Sequence, residues 1–193
     1  LAVRKGHYLS TTLRTWEEDP HARLLTHGGH GEHGIRPNAH VALGLAALYR
    51  LRPEAFGPDY AAQDARDDGV ALLRFLLPTH GAGGKVCTDG KPWRNSWQSA
   101  LWAHRTGAAA WLLWDELDPE LRWMAARMIC DEADRFVDQV PPAQVERDTK
   151  AEENAWNSGV VALAYNMFPQ HPNHEKWGET ARRWNLSALA TRQ

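Results

Sequence analysis

The chain reads as an all-α protein: antiparallel helix pairs in two layers, about seven helices in all. Three observations lead there. First, three strongly apolar stretches open on similar polar segments: His33-Gly34-Ile35-Arg36-Pro37-Asn38-Ala39-His40, Asn95-Ser96-Trp97-Gln98-Ser99 and Glu152-Glu153-Asn154-Ala155-Trp156-Asn157-Ser158. Their step is nearly constant, 57 residues from Asn38 to Asn95 and 59 from Asn95 to Asn154, which points to a repeated helical unit. Second, these apolar stretches alternate with amphipathic ones. A helix apolar on every face is covered all round, while an amphipathic one faces water. Third, no stretch alternates convincingly as a strand.

Taken in order, residues 3–18 are expected to form a helix that ends before Asp19-Pro20. Residues 26–36, rich in Gly and His, follow as a loop. Pro37 fits the first turn of a helix over 38–51, because its missing N–H has no partner to lose there. Pro53, Gly57 and Pro58 mark a connection. An amphipathic helix over 60–77 is closed by Pro78. After a second glycine loop, His80 to Gly90, a helix is expected from Ser96 to Glu116, with Asn95 and Gln98 spaced as a capping box. Asp118-Pro119 is a strong start for an amphipathic helix over 119–139. Thr149 and Glu152 are spaced as another capping box, opening a helix that runs to Phe168. The last helix, 172–190, places Trp177, Ala181, Trp184 and Ala188 on one stripe.

Composition narrows the function. With 22 basic and 24 acidic residues the net charge is −2, without the basic excess of a general nucleic-acid binder. No apolar run reaches the length of a membrane span. Cys87 and Cys130 match no metal-ligand spacing and read as thiols, with a disulfide as the alternative. Ten tryptophans in 193 residues are unusual. Flat aromatic faces pack on the apolar side of sugar rings, although any single Trp also fills a core well. Trp97 and Trp156 stand out because they share a position relative to their helix starts.

Consecutive inner helices of a two-layer array run parallel, so their N-termini gather at one end. The groups at His33/Asn38, Asn95/Trp97 and Glu153/Asn157 are therefore expected to converge. The segments Asp89-Gly90-Lys91-Pro92-Trp93-Arg94-Asn95-Ser96-Trp97-Gln98-Ser99 and Lys150-Ala151-Glu152-Glu153-Asn154-Ala155-Trp156-Asn157-Ser158, followed by Met167-Phe168-Pro169, resemble heparinase II/III-like and related polysaccharide lyases. The likeness runs from about His27 to Trp184. It implies an incomplete (α/α) toroid, one helical unit over residues 1–193 that belongs to a larger chain, and a secreted or periplasmic setting. It also implies an acidic, uronic-acid glycan as substrate, cleaved by β-elimination.

That chemistry needs a donor set for the uronate carboxylate, a base for the C5 proton and an acid for the leaving O4. Asn, Gln and Arg suit the first task, and helix N-termini favour an anion. Asn38, Asn95, Gln98 and Asn157 are the candidates, with Arg36 or Arg94 as a charged clamp and Trp93, Trp97 and Trp156 as sugar platforms. His33 and His40 suit the proton steps. Glu153 is not needed as a cap and is a catalytic or sugar-binding candidate. Asn95 and Glu152 have the competing role of capping their helices. No cofactor is expected; His27, His30 and His33 offer a divalent-metal alternative, although their spacing matches no standard zinc pattern. A glycoside hydrolase pairing Glu153 with Glu32 or Asp89 is the second reading. A non-catalytic helical module that binds a glycan or a protein is the third.

Overall fold

The computed structural model of the chain describes residues 11–142 and 148–189. It is mostly helical, with six α-helices and one small two-stranded sheet among the described residues. The strands are β1, Arg14–Trp16, and β2, Asp19–Leu24, paired antiparallel with an irregularity between Thr15 and Trp16. The helices are α1 (Glu32–Leu51), α2 (Ala62–Thr79), α3 (Ser99–Leu112), α4 (Pro119–Asp134), α5 (Ala151–Met167) and α6 (His174–Leu189).

The hairpin corrects the helix expected over 3–18, whose first residues lie outside the described part. Trp16, Ala22 and Leu24 are buried while Thr15, Glu17 and Glu18 face water. β2 packs on α2, and the Trp16 ring meets Phe75 edge-on at 5.4 Å. Strands of three and six residues are too short to show a period of their own.

α1 begins at Glu32, not at Asn38, so Pro37 lies inside the helix. Its first turn closes on the Gly31 carbonyl, which accepts from the Gly34 and Ile35 N–H groups, and Gly34 packs closely on the incoming loop. A Cβ there would lie 1.8 Å from the Gly29 carbonyl oxygen, so only glycine lets the incoming loop cross the first turn. Gly34→Ala is therefore expected to destabilise the fold by about 3 kcal/mol, read as a lower urea midpoint.

Two expected capping boxes do not form. Asn95 has φ +53° and stands four residues before α3; Lys150, φ +55°, precedes α5 with no side-chain cap. Asp118 does cap α4, accepting from the Leu121 N–H at 2.8 Å. Pro78 lies within α2, one residue before its end. α3 stops at Leu112, and a separate 3-10 turn spans Trp114–Glu116. In α6, Trp177 and Trp184 are buried on one stripe, as expected, with Thr180 between them.

α1 packs against α2 and α3, α3 against α5, and α5 against α6; α4 lies against α2, α3 and α5. Contacts along the helices fix the directions of α1, α3 and α5. Glu32 hydrogen-bonds Gln98, and eight residues on His40 feels the charge of Arg105. Trp97 bonds Glu153, a Gly159 Cβ would sit 3.0 Å from His104 Nδ1, and a Gly107 Cβ would sit 2.7 Å from Leu163. Both pairs advance in step, so the three helices run parallel with their N-termini at one end. The expected contrast in burial is blurred. Residues 75–79 of α2 are wholly buried, whereas α1 exposes His40 and Gly44.

Candidate functional site at the N-terminal ends of α1, α3 and α5

Three polar positions on α1, Glu32, Arg36 and His40, are spaced four apart and form one stripe. Arg36 holds Glu32 at 2.6 Å. That hydrogen bond, with one from Gln98, keeps the Glu32 carboxyl below the usual carboxylate range. His40 closes the stripe. Desolvation of the ring, then the positive charges of Arg105 and Arg36, push its pKa below the ordinary histidine value. His33 is exposed at the second position of α1.

The α3–α5 side carries the aromatic pair. Trp97 is 68% exposed, and its ring centroid lies 6.0 Å from that of half-buried Trp156. The Trp97 Nε1–H donates to Glu153 Oε1 at 3.1 Å, and Lys150 Nζ approaches the same oxygen at 3.8 Å. Glu153 thus ties the Trp97 indole to α5 beside Trp156. Asn157 is half-buried one residue beyond Trp156.

Other candidates lie elsewhere. Asn38 is fully buried. Its amide donates to the Gly34 carbonyl and to Thr26, and its oxygen accepts from the Leu25 N–H at 2.7 Å. It ties the loop to α1 and has no atom left for a substrate. Trp93 is also fully buried, its indole N–H donating to the Leu76 carbonyl at 2.9 Å. Arg94 is paired with Asp131 at 2.6 Å, and Asn95 accepts from Arg135. Both therefore point to α4, away from the α1 stripe. Gln98 is 4% exposed; it reaches Glu32, while its Oε1 is buried without a partner.

The histidine loop does not assemble a metal set. His27 Nδ1 accepts from the Gly29 N–H, and His30 Nδ1 meets Asp89 Oδ2 at 2.7 Å. Burial would raise the Asp89 carboxyl, but the His30 ring and backbone N–H overcome it and hold it low. Among the described residues, the potential ligand atoms that do gather within 4.8 Å belong to His80, Asp131 and Glu132. Their hydrogen bonds argue for a structural network. His80 Nδ1 accepts from the Ala82 N–H, so the ring proton sits on Nε2 and donates to Glu132 Oε1 at 3.3 Å. Glu132 is further paired with Arg135 at 2.7 Å. A metal on Nε2 would need the opposite tautomer and would face Arg135 and Arg94. Cys87 and Cys130 are free thiols, each pushed up by burial, to about 11 and about 12.

Arg105 was not singled out by its sequence. A lone cationic residue inside an apolar helix carries no spacing signal. Comparison with protein-family models, with characterised proteins and with solved structures finds no match. Among the described residues no helix is long and apolar enough to cross a membrane.

Proposed function

We propose that the chain is part of a polysaccharide lyase that cleaves an acidic, uronic-acid glycan by β-elimination, on a scaffold of the (α/α)-toroid kind. Two observations support this reading: His40, two turns into α1, is biased toward its neutral form by desolvation and by nearby positive charge, and the exposed indole of Trp97 stands beside the start of α3. A base for C5–H abstraction must be unprotonated at working pH, and the charges around His40 favour that state. Trp97 and Trp156 offer apolar faces to neighbouring sugar rings, with Glu153 and Lys150 fixing the first of them.

In the proposed reaction His40 takes the C5 proton, the C4–O4 bond breaks as the C4–C5 double bond forms, and the proton passes to the leaving O4. His33 stands seven residues earlier on the same helix face, about 10 Å along the axis. That is too far to serve the same bond, so His33 faces an adjoining sugar. The hydrolase reading would pair Glu153 with an ionised carboxylate such as Glu32 or Asp89, both of which are held below the ordinary range, and product chemistry separates it from elimination.

The platform is tested by Trp97→Ala. The ring is largely exposed, so the midpoint of thermal unfolding should move little. Affinity for the cleaved glycan should fall about tenfold, measured by calorimetry. Unchanged affinity would remove Trp97 from the site.

A further inference from the structure

We infer that the free edge of the hairpin is a peptide-binding site, which takes a short extended peptide with free termini as a third strand beside β1. The sheet has two strands, so one edge of β1 pairs with β2 and the other meets no strand among the described residues. An unpaired edge offers a row of backbone donors and acceptors. Against it lies a cleft of about 510 Å³, whose far wall is the 86–90 loop. That volume is in the range of small-ligand sites. Every residue from 14 to 18 borders the cleft. Successive side chains of a strand point to opposite faces, so a cleft bordered by all of them runs along the edge of the strand and its turn.

The far wall is tied to the hairpin side at both ends. Thr88 Oγ donates to the His27 carbonyl at 2.6 Å, and the Thr88 N–H to the Gly28 carbonyl at 3.1 Å. Nearer the turn, Lys85 Nζ stands 5.2 Å from the centre of the Trp16 ring and donates to the Glu18 carbonyl at 3.5 Å. The walls are thus fixed before a ligand arrives, which lowers the ordering cost of binding.

The charges along the cleft name the ligand. Arg14 donates to the Thr26 carbonyl and meets no carboxylate among the described residues. The Glu17 and Glu18 carboxylates meet no cation there, and all three side chains are exposed. Arg14 is three residues from Glu17, up to roughly 10 Å along a strand. An extended tripeptide spans about the same distance between its terminal ammonium and carboxylate. With the carboxylate at Arg14 and the ammonium at the two glutamates, the peptide runs antiparallel to β1, as in strand addition. Trp16, Leu24 and Cys87, almost without exposed surface, form an apolar floor that suits an apolar central side chain. None of these residues belongs to the site at the ends of α1, α3 and α5.

The test titrates Ala-Leu-Ala into the full chain and follows the backbone amides by NMR. The Thr15, Trp16 and Val86 amides should shift together on one saturation curve at millimolar peptide. Amidating the peptide C-terminus should weaken binding several-fold to the parent and leave binding to Arg14→Gln unchanged. Acetylating the N-terminus should do the same when the parent is set against the double variant Glu17→Gln with Glu18→Gln. Of two peptides N-methylated at the leucine or at the last alanine, one should lose most of its affinity, because alternate N–H groups of an added strand meet the edge. No saturable shift, equal binding of free and capped peptides, or equal affinity of the two N-methyl peptides would overturn the assignment. Shifts of the same amides with protein concentration alone, and not with peptide, would give the edge to a second copy of the chain instead.

Discussion

Replacing His40 by alanine is expected to lower turnover of the acidic glycan by about 10²–10⁴-fold, the range lost with a general base. The side chain reaches solvent and carries no structural hydrogen bond among those described, so unfolding free energy should stay within about 0.5 kcal/mol of the parent. The pH dependence gives the sign. Desolvation and the charges of Arg105 and Arg36 lower the His40 pKa from 6.5. The base form therefore persists to more acidic pH, and the acid limb of kcat/KM should fall below about 6.5. A limb above that value, or turnover untouched by His40→Ala, would take the proton step away from this residue. Kinetics and urea unfolding on the same preparation separate the chemical loss from a loss of fold.

Trp93→Ala is expected to do the opposite, costing about 3–5 kcal/mol of stability. The ring has no exposed surface and packs edge-on to His80 at 4.6 Å and to Trp102 at 6.3 Å. Its removal leaves a cavity and also takes the indole donor from the Leu76 carbonyl. The backbone on either side ties the 80–94 loop shut: Trp93 N–H donates to Thr79 O at 3.0 Å and Gly81 N–H to Trp93 O at 3.1 Å. Denaturant melts read the loss. A stable Trp93→Ala protein with weakened glycan affinity would place this ring at a binding surface instead.

Those two tryptophans show where sequence reading stops. Trp93 and Trp97 are four residues apart in one polar segment, and nothing local separates the buried ring from the one that is 68% exposed. Their fates depend on the His80–Trp93 bridge and on α5, which are tertiary facts. Signals carried by one side chain on its own backbone were legible, as at Asp118-Pro119, where the cap forms as written. The start of α5 was legible to within about a residue, although not its cap, whereas α3 starts at Ser99 rather than Ser96; Asn95 and Lys150 adopt left-handed backbone that no capping pattern announces. The parallel run of α1, α3 and α5 agrees with the expected convergence, but the equal step does not hold: the helices start at Glu32, Ser99 and Ala151, and Asn38, Asn95 and Asn154 each bond elsewhere. The hairpin escaped because its strands are too short for periodicity.

The most direct test of the elimination chemistry is absorbance of the unsaturated uronate while the full chain is incubated with a panel of uronic-acid polysaccharides, new reducing ends being counted alongside. Absorbance that rises in step with reducing ends on one of these polymers, and that is lost in His40→Ala, is the expected result. Reducing ends without that absorbance would establish hydrolysis, and no product from any uronic-acid polymer would contradict the lyase assignment.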